Sequence, residues 1–186
     1  MSDSPSHDAG SRASPQPPPL LRQLEWLLKE SADAANPTAK EIRSLLDDVK
    51  TVAVVGLSRD PLKAARRVPS YLAAKGYHVI PVNPNADSIL GQPARDTLDE
   101  VTDEVDLVLL FRPSDEAGDF VETAAARDER PAIWLQEGIM APEAAAAARD
   151  AGLTVVQDLC IFKAHRSLPR NQPRRPATLP DLAARE

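Results

Sequence analysis

The sequence predicts an α/β protein: a Rossmann-like, doubly wound, mainly parallel sheet of about five strands in a three-layer α/β/α arrangement, with two N-terminal helices and disordered tails. Three observations lead there. Short runs of β-branched and large apolar residues alternate with stretches rich in helix formers, an order that implies right-handed crossovers. The apolar runs are continuous rather than alternating, as in strands buried on both faces. Two of the helical stretches close on a glycine, the usual residue at a helix C-terminus.

Residues 1–19, MSDSPSHDAGSRASPQPPP, hold five prolines and almost nothing large and apolar. Such a segment cannot bury enough surface to offset its ordering entropy, so a disordered tail is expected. Residues 20–49 read as two helices: Leu20 to Glu30 carries an apolar stripe at helical spacing, and Thr38 with Glu41 forms a capping-box signature. The main domain spans 50–168, with strands TVAVV, HVIPV, DLVLLF, AIWLQ and LTVVQ separated by the helical stretches PSYLAAKG, SDEAGDFVETAAARDE and APEAAAAARDAG. Residues 169–186 combine four prolines with several arginines and no sustained period, which reads as a second solvated tail.

Pro69 marks the first crossover helix. Proline is tolerated in a first turn and not deeper, so the helix is expected to begin near Val68, leaving Ser58 to Arg67 mostly as loop. The competing reading begins an ordinary helix at Asp60-Pro61.

Composition narrows the function classes. With 186 residues and 42% hydrophobic content the chain suits one domain plus tails. A formal net charge of -6 argues against wholesale nucleic-acid binding. No run reaches the eighteen or so apolar residues of a membrane span and no signal-like N-terminus appears, so a soluble cytoplasmic protein is expected. The single Cys160 closes no internal disulfide, and His7, His78 and His165 show no metal-ligand spacing.

In doubly wound sheets ligands bind beyond the carboxyl ends of the strands. That rule selects Gly56 to Arg67, Asn83-Pro84, Arg112-Pro113 and Gln136-Glu137-Gly138. The first segment places Arg59, Lys63, Arg66 and Arg67 against one acid, Asp60, just past a glycine turn whose N–H groups point outward. Phosphate is the chemistry this suits. The turn G-L-S-R-D-P has one glycine where a dinucleotide fingerprint needs three, and Pro81-Val82-Asn83-Pro84 stands where that fingerprint wants a ribose-binding acid. NAD is therefore disfavoured, and no P-loop is present.

The segments VAVVGLSRDPLK, GYHVIPVNP, ILGQPARDTLDEV, DLVLLFR, IWLQEGI and AGLTVVQDLC with HRSL, from about Lys50 to Leu168, resemble the compact coenzyme A-binding proteins of the Rossmann type. The fold is also similar to the coenzyme A-binding domain of the succinyl-CoA synthetase α chain. The resemblance implies coenzyme A or acyl-CoA across the strand ends. Gly56, Leu57 and Ser58 would hold the pyrophosphate, and some of Arg59, Lys63, Arg66 and Arg67 the phosphate charge. Asn83 and Pro84 would border the nucleotide, while Phe111, Arg112, Gln136 and Gly138 would line the adenine or pantetheine path. Arg112 has a second reading, as the counterion of Asp115 and Glu116. The chain departs from the family at Ala65, Leu159 and Ala164, where Ser, Arg and Glu are usual.

Cys160, after the fifth strand, and His165 are possible redox or ligand contacts, against readings as an inert core thiol and a surface residue. There are no paired carboxylates at strand ends, no nucleophile elbow and no metal cluster in the sequence, so no catalytic residue is assigned. The expected function is a coenzyme A-binding module acting as sensor or carrier, with a protein partner or homodimer possible. The alternatives are an NAD(P)-binding oxidoreductase or redox sensor and an acyl-CoA-handling thioesterase or transferase.

Overall fold

The computed structural model describes residues 19–168. Its elements are α1 (Pro19–Glu30), α2 (Ala39–Asp48), β1 (Thr51–Val55), α3 (Ala64–Ala74), β2 (His78–Val82), β3 (Ser88–Ile89), β4 (Gln92–Pro93), β5 (Leu107–Leu110), α4 (Ser114–Ala125), β6 (Ala132–Leu135), α5 (Pro142–Asp150), β7 (Val155–Val156) and α6 (Ile161–Arg166). The expected tails fall outside the described residues, apart from Pro19, which heads α1 instead.

The five expected strands form one sheet in the order β2-β1-β5-β6-β7, every neighbouring pair parallel. Strand order therefore reverses between β1 and β5, the switch point at which doubly wound folds open a crevice. The strands are buried on both faces. Val52, Val54, Leu109 and Trp134 meet α1, α2, α3 and α6 through residues such as Leu24, Ile42, Leu72 and Ile161. Ala53, Val55, Leu110 and Leu135 meet α4 and α5 through Val121 and Ala145. Trp134 is fully enclosed and its indole N–H donates to the Leu159 carbonyl at 2.6 Å.

Both sheet edges are covered. Along β2, Arg95 donates its N–H to Pro81 O and accepts from Asn83 N at 2.9 and 2.8 Å. It follows the hairpin β3–β4, which turns at Leu90 and Gly91 with φ of 58° and 73°. At β7 the Asn36 side chain acts as a surrogate strand rung: its Oδ1 accepts from Gln157 N and its Nδ2 donates to Gln157 O, each at 2.8 Å. The α1–α2 connection is fastened further by Arg149 and Gln157, whose side chains donate to Asp33 Oδ2 at 2.6 and 2.8 Å. The capping box at Thr38 and Glu41 is formed on both sides.

One expectation fails. The crossover helix α3 begins at Ala64, not near Val68, so Pro69 sits inside it and Arg66 and Arg67 belong to its first turns. A proline in that place leaves the carbonyl of residue 65 without its helical donor. Here the N–H of Ser58 occupies that carbonyl at 3.1 Å, so the loop supplies what the helix lacks. The alternative start at Asp60-Pro61 fails as well: Asp60 Oδ1 accepts from Leu62 N at 2.9 Å and its carbonyl from Lys63 N at 3.2 Å, a tight turn before the helix.

Candidate functional site

The parallel register carries one residue past the strand ends and lines up a row. Val55 is opposite Val82 on one side and Leu110 on the other, and Leu110 is opposite Leu135. Asn83, Gly56, Phe111 and Gln136 consequently stand side by side along the carboxyl edge. The ladder continues there: Gly56 N donates to Val82 O, Phe111 N to Val55 O and Gln136 N to Leu110 O, at 3.0, 2.9 and 3.3 Å.

Gly56 is required on two counts. Its φ is +81°, and a Cβ built on it would lie 3.0 Å from Phe111 O and 3.1 Å from Arg112 Cδ. The chain turns there into Leu57, which is fully buried and anchors the loop, while Asn83 Nδ2 braces Leu57 O at 2.8 Å. Asn83 Oδ1 in turn accepts from Asn85 N at 2.8 Å, so this side chain holds the corner together. Pro84, beside it, is exposed.

The loop is arranged for an anion. The N–H groups of Leu57, Arg59, Ala64 and Ala65 carry no hydrogen bond among the described residues. No acid occupies the first turn of α3, and Lys63 at its N-cap makes no side-chain cap. Unpaired amides, the positive end of the helix and nearby cations act in the same direction. Arg59, Lys63 and Arg67 are exposed and have no acid partner among the described residues. Arg66 differs, because its guanidinium donates to Ser70 Oγ at 2.7 Å and its Nε is buried without a partner. Asp60 is taken up in the turn through Leu62 N, and Ser58 Oγ accepts from Asp60 N at 3.0 Å.

Further along the row, Arg112 donates to Glu116 from Nε at 3.0 Å and pairs with it through a second guanidinium nitrogen, the counterion arrangement that the adjacent acids suggest. Gln136 is only 5% exposed and its Nε2 has no partner. Gly138, at φ +80°, donates its N–H to Asp158 Oδ1 at 2.6 Å. Lys163 Nζ sits 2.7 Å from both oxygens of Glu137, a pair between the β6–α5 connection and α6 that sequence separation conceals. The Glu137 carboxylate holds the Lys163 ammonium above its ordinary range. Cys160 is half-buried at the head of α6. His165 is placed elsewhere: its Nδ1 is 2.8 Å from the Tyr71 hydroxyl and its ring meets Tyr71 and Tyr77 edge-on, among the helices rather than with the strand-end row.

Two surface depressions of about 330 and 570 Å³ lie at other places. The first, at the amino ends of β5 and β6, is lined by Asp48, Glu104, Asp106 and Glu129, which would repel a polyanion. The second flanks β7 beside Asn36 and Arg149. The unpaired amides of Leu57, Arg59, Ala64 and Ala65 and the exposed cations Arg59, Lys63 and Arg67 gather instead at the carboxyl edge, an arrangement whose chemistry suits a phosphate group. Among the described residues, no group of three or more His, Cys, Asp or Glu could hold a metal ion.

Residues 50–166 match the family model for the CoA binding domain. The chain is 39% identical over 134 residues to the uncharacterized protein YneT of Bacillus subtilis (strain 168), covering 70% of this chain and 96% of that one. Among solved structures it is similar to cell-free ID.343 from Thermus thermophilus, with a TM-score of 0.66 and 37% identity over 71% of this chain and 100% of the other. A hypothetical protein from Pyrococcus horikoshii OT3 gives a TM-score of 0.67 and 32% identity over 71% of this chain and 92% of its own.

Proposed function

Since the chain belongs to the family of CoA binding domains, we propose that it binds coenzyme A or an acyl-CoA through the loop behind Gly56 and serves as a sensor or carrier. The observation that supports this reading is the coincidence of unpaired N–H groups at the start of α3 with three cations, Arg59, Lys63 and Arg67, that have no acid partner among the described residues. The amides suit the pyrophosphate, and the exposed cations suit the remaining phosphate, by charge-assisted hydrogen bonds. Arg66, half-buried and held by Ser70 further along α3, is set apart from these three exposed cations.

The apolar floor of the row, Phe111, packs against the core face that also holds Leu57 and Trp134, and offers a surface for the methylene part of the ligand. The test is calorimetric titration of the purified protein with coenzyme A and with NADPH. Saturable heat with coenzyme A and weaker or no heat with NADPH is the expected result. No response to coenzyme A at millimolar ligand removes the reading, and tighter binding of NADPH replaces it with the dinucleotide one.

A further inference from the structure

We propose that the side-chain amide of Gln136 reads the pantetheine arm, donating to its second amide carbonyl, the one nearer the thiol; this rests on the coenzyme A reading above. Native chains leave few buried polar atoms unpaired, because an unmet donor forfeits its hydration without return. Gln136 is 5% exposed, its Nε2 is buried, and its side-chain amide has no hydrogen-bond partner among the described residues. The comparison within the molecule is Gln157. That side chain is also buried, yet its Nε2 donates to Asp33 and its Oε1 accepts from Ala141 N at 2.7 Å. The fold satisfies one buried glutamine and leaves the other facing the functional edge unmet.

Position identifies the missing acceptor. Gln136 lies in the same row as Gly56, two strands away across Phe111. At about 4.8 Å per strand the separation is about 10 Å. From the pantetheine-side phosphorus of coenzyme A, the first amide carbon is about five bonds along the arm, the second about nine and the sulfur about thirteen. At about 1.2 Å per bond of extended chain these lie about 6, 11 and 16 Å away, and the second amide matches. Strand alternation continues β6 past Trp134 and puts the Gln136 side chain on the face shared by Phe111 and Leu57. The other buried unpartnered side-chain nitrogen among the described residues, Arg66 Nε, is in the first turn of α3, on a guanidinium already held by Ser70. Because the contact precedes the sulfur, it recognises the arm and not the acyl group.

The experiment compares wild type with Gln136→Met, close in shape and without polar atoms, and with Gln136→Glu, which lacks the N–H donor. Titrations use coenzyme A, acetyl-CoA and adenosine 3′,5′-bisphosphate, the last carrying adenine and phosphates but no arm. Both variants are expected to lose about tenfold in affinity for coenzyme A and acetyl-CoA alike, the worth of one net hydrogen bond, and to keep bisphosphate affinity. The ligand-free Gln136→Met protein should melt no lower than wild type. Unchanged affinity for coenzyme A in both variants, or an equal loss for all three ligands, would overturn the assignment. Wild type failing to bind coenzyme A would instead overturn the underlying reading, so the two failures are distinguishable.

Discussion

The backbone N–H of Ser58 donates to the carbonyl of Ala65 at 3.1 Å, the carbonyl that Pro69 leaves without a helical donor. The proline thus pins the anion loop against its own helix. In Pro69→Ala a restored N–H at residue 69 competes for the same acceptor. Faster amide exchange at Ser58 and a several-fold loss of coenzyme A affinity are expected, with little net change in melting temperature because lost ring contacts oppose the regained helical bond. Unchanged exchange at Ser58 would separate the proline from the loop.

The exposed cations and Arg66 should behave differently. Replacing Arg59, Lys63 and Arg67 together with Gln is expected to cut coenzyme A affinity at least about a hundredfold, since hydrogen bonds to charged groups are the stronger class. The dependence of affinity on salt should flatten. The melting temperature should hardly move, these side chains being solvent-exposed without acid partners among the described residues. Arg66→Gln removes the bond to Ser70 and should lower stability by about 1 kcal/mol. Parallel titration and thermal melts of the two variants check both statements.

Gly56→Ala meets a left-handed backbone and the Phe111 carbonyl together. The backbone conformation alone disfavours a side chain by about 1–2 kcal/mol, and the 3.0 Å approach adds to it. The variant should lose at least that much in chemical denaturation and bind coenzyme A weakly even where it remains folded. Wild-type stability in this variant would show that the β1 turn has room to relax.

Asp33 predicts an acid limb in the stability profile. Burial by itself pushes its carboxyl up, but hydrogen bonds from Arg149, Gln157 and the Ala35 N–H, with the Arg149 charge, outweigh that and hold it below the ordinary range. A carboxyl lowered in the folded state stabilises fully above its unfolded value of about 3.9 and ceases to do so as pH falls through the lower folded value. Asp33→Asn should therefore be less stable than wild type at neutral pH, by roughly 1–2 kcal/mol. The gap should hold down to about pH 5 and close in more acid solution, as followed by urea denaturation across pH.

The sheet was legible because its strands are buried on both faces and so read as unbroken apolar runs, TVAVV and DLVLLF among them. Gly76 and Gly152, both at positive φ, end α3 and α5 where the sequence suggests. The start of α3 was not legible, since the acceptor relation that admits Pro69 joins Ser58 to Ala65 only after the loop folds back. The hairpin β3–β4 was hidden by its two-residue strands and by a Leu90-Gly91 turn in place of the usual Asn-Gly. The short helix α6 offers too few residues for a period. At the strand ends, Gly56 and Gln136 follow from the rule that ligands meet the ends of strands, whereas Phe111 entered only through the family resemblance. That Asn83 braces a turn, that Lys163 pairs with Glu137 and that one glutamine lacks a partner are facts of three-dimensional placement.

Asn36 occupies the outer border of β7 with a single side-chain amide, offering Gln157 both the acceptor and the donor that another strand would offer. An uncovered border of this kind is a template for pairing with further copies of the same chain. Asn36 thereby fills the place a further strand would take, while α1 and α2 support the core. A fragment trimmed to residues 50–166 would lose this rung together with the α1 and α2 side chains that pack on the Leu57 face of the core, and filaments or precipitate are its expected signature.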